Sequence, residues 1–133
     1  MNRRFLPSVM AITFFLASGC SKPATETARS SQGTSVLIAQ GSAIFETRCF
    51  VCHGRGGKGD GPASQGASAH PQDLTSSTWQ KSTSDPQIAT VIRNGGGSVG
   101  KSPAMPANPD LTDDQIEALS RFIRSLGGQS TSG

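Results

Sequence analysis

The 133-residue chain is poor in large apolar side chains: it has no tyrosine, one tryptophan and six phenylalanines. It has no Val- and Ile-rich pattern of the kind that forms a parallel sheet, so a thioredoxin-like strand-helix-strand unit is not expected. Three cysteines and two histidines are few for a zinc site, which needs four ligands. No lysine-rich stripe is present, and nucleic-acid binding is therefore without support. What is present is one short motif that combines cysteine and histidine.

This motif reads Cys-Phe-Val-Cys-His and places Cys49, Cys52 and His53 within five residues. The spacing predicts covalent attachment of haem: each thiol adds across a vinyl group to form a thioether, and the histidine becomes the proximal axial iron ligand. A redox-active dithiol, a small disulfide and half of a zinc site are the alternatives. Zinc would have to recruit Cys20, which has another predicted role, or His70, the only other histidine. One covalent haem c is the predicted cofactor.

The N-terminus independently predicts export, which haem attachment to this motif generally requires. Arg3 and Arg4 precede a mostly apolar stretch, and residues 1–19 are predicted to be a signal peptide. The segment Leu-Ala-Ser-Gly-Cys ending at Cys20 resembles the lipobox of bacterial lipoproteins, which predicts a lipid on Cys20 and a location on the periplasmic side of a membrane. The alternatives are ordinary cleavage, giving a soluble periplasmic protein, and an uncleaved anchor. The apolar stretch spans only about 20 Å, short of a hydrocarbon core of roughly 30 Å.

Removal of the signal peptide changes the charge balance. The whole chain carries 12 basic and 9 acidic residues, and Arg3 and Arg4 leave with the signal. The mature chain is then almost neutral, and two haem propionates would bring it to about minus one. The basic character of the full sequence therefore indicates no nucleic-acid partner.

Composition divides the mature chain into three parts. Residues 20–35 are rich in Ser, Thr, Ala and Gln without apolar periodicity, which predicts a flexible, lipid-anchored tether. Residues 128–133 are of the same kind and predict a disordered tail. The folded domain is predicted to cover residues 36–127. A domain of this size is marginal on its own protein core, and a buried haem would supply apolar mass.

Three helices are predicted and no strand of consequence. The first, Val36–Cys52, repeats apolar or small residues every four positions on the face that carries the motif. The middle helix, Asp85–Arg93, is capped by Ser84 or Asp85 and has Pro86 at its first position. The last begins after Thr112, ends at Gly127 and buries one stripe, formed by Ile116, Leu119, Phe122, Ile123 and Leu126.

From Gly41 to Leu126 the chain resembles the class I c-type cytochromes. The features that carry the resemblance are the helix leading into the Cys-x-x-Cys-His motif, Gly54–Pro62, Pro71–Thr75, Ile92–Gly95, Met105-Pro106 and the helix beginning Leu111-Thr112. The resemblance implies a small all-α fold of three to four helices and loops around one haem. It also implies that the first and last helices cross near Gly41, with Phe122 packed across Gly41 and Phe45.

Met105 is the only methionine that remains after the signal is removed. It lies between Pro103 and Pro106, and two prolines limit the entropy lost when a side chain is held against iron. The family places its axial methionine in such a loop, which implies that Met105 is the distal axial iron ligand. A core-filling methionine, ligation by His70 and an open sixth position are the alternatives.

A histidine and a methionine would occupy both axial positions of the iron, so the expected function is one-electron transfer between redox proteins through an exposed haem edge, without a small-molecule substrate. The alternative is a haem-bearing subunit of a larger membrane-associated dehydrogenase or oxidase. A haem peroxidase or gas sensor is less favoured because it needs an open position. We also expect His53 to donate its second N–H to a carbonyl near Gly61-Pro62, and Trp79 either to bind a haem propionate or to pack as a half-buried aromatic.

Overall fold

The computed structural model of the chain describes residues 24–66 and 70–128. Within these ranges the fold is helical and contains no β-strand, which confirms the predicted all-α class. The helices are α1 (Ala24–Arg48), α2 (Phe50–His53), α3 (Ser77–Ser82), α4 (Asp85–Asn94) and α5 (Asp113–Leu126), with short 3-10 turns at Pro62–Ser64 and Gly96–Val99. Across the described ranges, none of the helices combines the length and the apolar character needed to cross a membrane.

Helices α1 and α5 cross in close contact at Gly41. A Cβ atom on Gly41 would lie 2.0 Å from the Ala118 carbonyl oxygen and 2.8 Å from Cβ of Phe122. Phe45, one turn later, is 1% exposed, and its ring centroid lies 5.1 Å from that of Phe122. Only glycine permits this approach of two helix backbones. The predicted packing of Phe122 across Gly41 and Phe45 is confirmed.

The buried core lies where α1, α4 and α5 meet and is made almost entirely of Leu and Ile. Its members are Phe45, Leu74, Ile88, Ile92, Leu111, Ile116, Leu119 and Ile123. Half-buried side chains pack against its edge, among them Cys49, Phe50 and Trp79. The first cysteine of the motif is therefore fixed to the core of the domain.

Capping boxes begin both α4 and α5. The hydroxyl of Ser84 accepts from the backbone N–H of Gln87, whose side chain accepts from the Ser84 N–H at 2.8 Å. Thr112 and Gln115 form the same pair, with distances of 3.3 and 2.9 Å. Each box satisfies backbone N–H groups that have no partner inside the helix. Ser84 is thus the cap of α4, and the predicted cap of α5 is confirmed.

Two predicted features of the first helix differ from the structure. Residues 24–35, for which a flexible tether was expected, continue α1 toward the N-terminus. Extending an existing helix adds one backbone hydrogen bond per residue and needs no apolar face, and Ala, Glu, Arg and Gln favour it. The helix is also interrupted for one residue at Cys49 before α2 begins. Residues 1–23, with the predicted signal peptide and Cys20, lie outside the described residues, as do 129–133.

Helix α3 is a further difference, since its six residues have no apolar period. A buried hydrogen-bond network centred on Gln80 and Arg124 holds it. Arg124 is only 6% exposed and donates to the Gln80 carbonyl and amide oxygens at 2.8 and 2.9 Å, to the Thr83 carbonyl and to the Asp85 carboxylate. The Gln80 amide in turn donates to the carbonyls of Leu74 and Ile123. The network ties α3 and the start of α4 to α5.

Candidate haem site

The cysteine-histidine motif occupies the junction of α1 and α2. The N–H of Cys49 donates to the Phe45 carbonyl at 2.9 Å, and the N–H of His53 donates to the Cys49 carbonyl at 2.9 Å. The backbone thus coils through the junction and brings Cys49, Cys52 and His53 onto one turn. Both thiols are free and half-buried. Two thiols and an imidazole are thereby presented together at the edge of the core.

Burial raises the pKa of Cys49 to about 11, and the neighbouring Arg48 offsets only part of this effect. A reactive dithiol needs a lowered thiol pKa, because the thiolate is the nucleophile. Cys49 is therefore a neutral thiol at physiological pH, unlike the attacking cysteine of a disulfide oxidoreductase. Within residues 24–66 and 70–128, no group of three or more His, Cys, Asp or Glu side chains is arranged to hold a metal ion.

His53 is half-buried, and its ring centroid lies 6.3 Å from that of Phe45. Burial lowers the pKa of His53, and the backbone of Gln72 acts weakly in the opposite direction. This direction favours the neutral imidazole, the form that binds metals. Its Nδ1 atom is buried and has no hydrogen-bond partner. The expected bond to a carbonyl near Gly61-Pro62 is therefore not formed in this structure.

The glycine-rich loop after the motif folds back beneath α2. The N–H groups of Gly59 and Gly61 donate to the carbonyls of His53 and Cys52, at 2.8 and 3.1 Å. A Cβ atom on Gly61 would lie 2.5 Å from the carbonyl oxygens of Phe50 and Val51, so no side chain fits there. The loop thereby satisfies the carbonyls at the end of α2 and fixes the turn that carries His53.

Arg55 fastens the same loop to the preceding helix. Its guanidinium pairs with Glu46 in the last turns of α1 and lies 4.8 Å above the ring centroid of Phe50. The cation thus covers one side of the motif while its charge is balanced.

Met105 belongs to a different part of the fold, the long loop between α4 and α5. Its side chain is half-buried, its N–H donates to the Ser102 carbonyl at 3.3 Å, and its own carbonyl accepts from Gly96 at 3.0 Å. His70, the rival ligand, is exposed, and Trp79 is half-buried against the core. The structure gathers the two cysteines and His53 into one turn, whereas the role of Met105 stays a prediction.

Asn108, Arg48 and Asp110 were not singled out in the sequence, although all three help to hold the Met105 loop. The side chain of Asn108 donates to the Ile92 carbonyl at 2.9 Å, and Arg48 forms two hydrogen bonds with Asp110. The signal available is an asparagine that lies two residues after Pro106 and directly before Pro109, because asparagine often bonds to backbone in turns. A separate groove between α4 and α5, whose rim includes Arg93 and Glu117, contains none of the predicted site residues.

These residues fit a covalently bound haem. Two free thiols can form thioethers, and the half-buried imidazole of His53 beside them can bind iron. The family model for cytochrome c matches residues 38–127, well over half of the chain. The chain therefore belongs to the cytochrome c family. Haem c is its cofactor, and electron transfer is its general role.

The chain is similar to subunits of cbb3-type cytochrome c oxidases. The chain is 32% identical over 93 residues to the cbb3-type cytochrome c oxidase subunit FixP of Rhizobium meliloti, and 33% over 91 residues to FixP of Bradyrhizobium diazoefficiens. It is 34% identical over 91 residues to the subunit CcoP of Rhodobacter capsulatus. The matches cover 69%, 68% and 66% of this chain, and 28%, 28% and 29% of the respective relatives. The chain thus spans less than a third of the length of each of these relatives.

Proposed function

We propose that the chain carries one haem c as thioethers of Cys49 and Cys52, with His53 and Met105 as axial iron ligands. The observation that carries this proposal is the turn at the α1–α2 junction, where two free thiols lie beside the half-buried imidazole of His53. In each attachment a thiol S–H adds across a vinyl C=C: a C–S bond forms and the proton goes to the other vinyl carbon. When bound, the haem iron accepts and releases one electron.

The role of the protein is to shield the iron and leave the haem edge accessible. Two axial ligands leave no position for a substrate, so electrons would pass to a partner protein without bond making. A soft thioether opposite an imidazole favours the ferrous state and raises the reduction potential. These properties suit a carrier that receives an electron at high potential.

We further propose that the electron partner is a membrane-bound oxidoreductase of the oxidase type, with this chain as a haem-bearing subunit. The support is the similarity to oxidase subunits, which is confined to the stretch that contains the haem motif. The second candidate is a carrier that exchanges freely between partners. Purification of the tagged chain in mild detergent separates the two: co-purification of a haem oxidase at constant stoichiometry supports a subunit, and recovery of the chain alone supports a carrier.

Attachment through a lipid on Cys20 would place this electron transfer on the periplasmic side of a membrane. The support is the lipobox-like segment that ends at Cys20. In a Cys20→Ser variant we expect the haem protein to move from the membrane fraction to the soluble periplasmic fraction. A wild-type protein found only in the soluble fraction would contradict the anchor.

The ligand assignment is tested by absorption spectroscopy of the purified ferric protein. A methionine ligand gives a near-infrared charge-transfer band, which we expect in the wild type and in a His70→Ala control but not in Met105→Ala. Survival of the band in Met105→Ala would contradict the assignment of Met105 as an iron ligand. Attachment is tested by mass spectrometry after denaturation, where Cys49→Ser and Cys52→Ser should each weaken covalent retention of haem and the double variant should abolish it.

A further inference from the structure

Asn108 donates hydrogen bonds to the last carbonyls of α4, although it lies about sixteen residues later in the sequence. The last carbonyls of a helix have no partners within it. In α4 the carbonyl of Val91 accepts from Gly95 at 2.9 Å, that of Ile92 from the Asn108 side-chain amide at 2.9 Å, and that of Arg93 from the Asn108 N–H at 3.1 Å. One residue thus satisfies two of these carbonyls and fixes the chain three residues after Met105.

Asp110 fastens the same short segment to the helix that carries the haem motif. Its two carboxylate oxygens accept from the two terminal nitrogens of Arg48 at 3.0 and 2.6 Å. This paired geometry is the most directional form of an ion pair. Arg48 directly precedes Cys49, so the pair joins the attachment side of the proposed haem to the chain that follows Met105.

Hydrogen bonds fix the backbone of the Met105 loop on both sides of Met105. Upstream of Met105 the loop is held by the bond from Gly96 to the Met105 carbonyl, and downstream by Asn108 and Asp110. The position of Met105 along the chain is therefore set by hydrogen bonds that its neighbours make.

We propose that Asn108 and the Arg48–Asp110 pair are positioning residues for the sixth iron ligand. Residues 106–110 act as a strap between α4 and α1, and the strap determines how readily Met105 is displaced from iron by an external ligand. The protein would then exclude small ligands through contacts that Met105 itself does not make. This proposal rests on the proposed ligation of iron by Met105.

Imidazole, which occupies ferric iron when the methionine leaves, is the probe. It is titrated into the detergent-solubilised full-length ferric holoprotein while the near-infrared band is followed. For Asn108→Ala we expect imidazole to bind about 5- to 30-fold more tightly than in wild type, because two hydrogen bonds near the ligand are weakened or lost. For Asp110→Asn we expect about two- to fivefold, the range of an exposed ion pair.

Glu117→Gln is the matched control, since it removes an exposed carboxylate that pairs with Arg121 on α5, away from the loop. Its imidazole affinity should equal that of the wild type. The exchanged pair Arg48→Asp with Asp110→Arg should recover most of the wild-type affinity. On heating, Asn108→Ala should lose the near-infrared band well below the temperature at which its helical circular dichroism is lost, which a purely structural role would not produce.

The outcomes separate this proposal from the one on which it rests. A wild type without the near-infrared band means that Met105 is not the ligand, and the proposed function fails with it. A wild type with the band, combined with an Asn108→Ala variant that binds imidazole like Glu117→Gln, overturns the role of Asn108. If Asn108→Ala does not fold, Asp110→Asn decides: an imidazole affinity equal to that of Glu117→Gln overturns the strap. Tighter binding in Asp110→Asn that the exchanged pair does not reverse overturns the role of the ion pair.

Discussion

The α1–α5 crossing and the Met105 loop are built in opposite ways. At the crossing, Gly41 lies against the Ala118 backbone and Phe45 is fully enclosed. In the loop the chain is held by hydrogen bonds to the end of α4 and to α1. The crossing therefore determines whether the domain folds, while the loop determines whether the sixth ligand stays in place. Substitutions in the two regions should separate stability from ligand exchange.

The most severe test of the crossing is Gly41→Ala. The new methyl group would meet the Ala118 carbonyl oxygen at 2.0 Å, and neither backbone can rotate away. Overpacking of this kind costs about 1–3 kcal/mol and occasionally more, so we expect the free energy of unfolding to fall by about 3 kcal/mol. Urea denaturation of the ferric holoprotein measures this change.

Gly33→Ala is the matched control for the crossing, because it lies in the same helix and its methyl group would have nothing within 4 Å. Alanine favours a helix over glycine by about 1 kcal/mol, so we expect no loss of stability and at most a small gain. Equal losses in the two variants would mean that the crossing does not limit the fold.

The buried Arg124 network should give the next largest effect. Arg124→Met keeps the side-chain volume but leaves the Gln80 amide oxygen and two backbone carbonyls without their donor. Unsatisfied buried acceptors cost about 1–3 kcal/mol, and we expect a loss of about 2–3 kcal/mol in the free energy of unfolding. Arg121→Met, on the same helix and more exposed, should cost less than about 1 kcal/mol. Equal free energies of unfolding in Arg124→Met and Arg121→Met would contradict a stabilising role of the network.

Removal of the α5 cap should have a smaller effect. Thr112→Ala deletes the hydroxyl that accepts from the Gln115 N–H, and such losses cost about 1 kcal/mol. Thr112→Ser keeps the hydroxyl and should match the wild type in the same denaturation experiment. Because α5 forms one side of the crossing, the imidazole affinity of Thr112→Ala should change much less than its stability. A larger change in imidazole affinity than in stability would contradict the claim that the crossing controls stability and the loop controls ligand exchange.

The smallest effect concerns pH in the Met105 loop. The hydrogen bond from Arg48 lowers the pKa of Asp110. A carboxylate whose pKa is lowered by folding stabilises the folded state above its unfolded pKa of about 3.9, and this contribution is lost as the pH falls through the folded value. We expect wild type to melt slightly above Asp110→Asn at pH 7 and the difference to vanish in acid. A difference in melting temperature that persists below the folded pKa would exclude the ion pair as its source.

The parts of the fold that follow from local patterns could be predicted from the sequence. The periodicity of α5, its Thr112 cap and the four-residue spacing of Gly41 and Phe45 lead directly to the crossing. The haem motif is equally local. Each of these patterns depends on residues that lie within a few helical turns of one another in the sequence.

The remaining features depend on contacts between distant residues. Helix α3 is fixed by Gln80 and Arg124, and an arginine in a last turn is expected to face solvent rather than the interior. The strap depends on Asn108 reaching the end of α4, and side-chain bonds over sixteen residues leave no period in the sequence. The N-terminal part of α1 was missed for the opposite reason: a helix can extend from a packed neighbour without an apolar face of its own.

This extension makes α1 a lever arm. From Ala24 to its contact with α5 at Gly41 the helix rises about 1.5 Å per residue, or about 26 Å in all. A coil of equal length has a comparable mean reach but a wide spread of distances, whereas a rod holds one distance and turns as a unit. Deleting one residue from the arm would move the haem domain by about 1.5 Å and rotate it by about 100° relative to whatever holds the N-terminal end. Electron transfer through a partner fixed at that end would then depend on helical phase, not only on length.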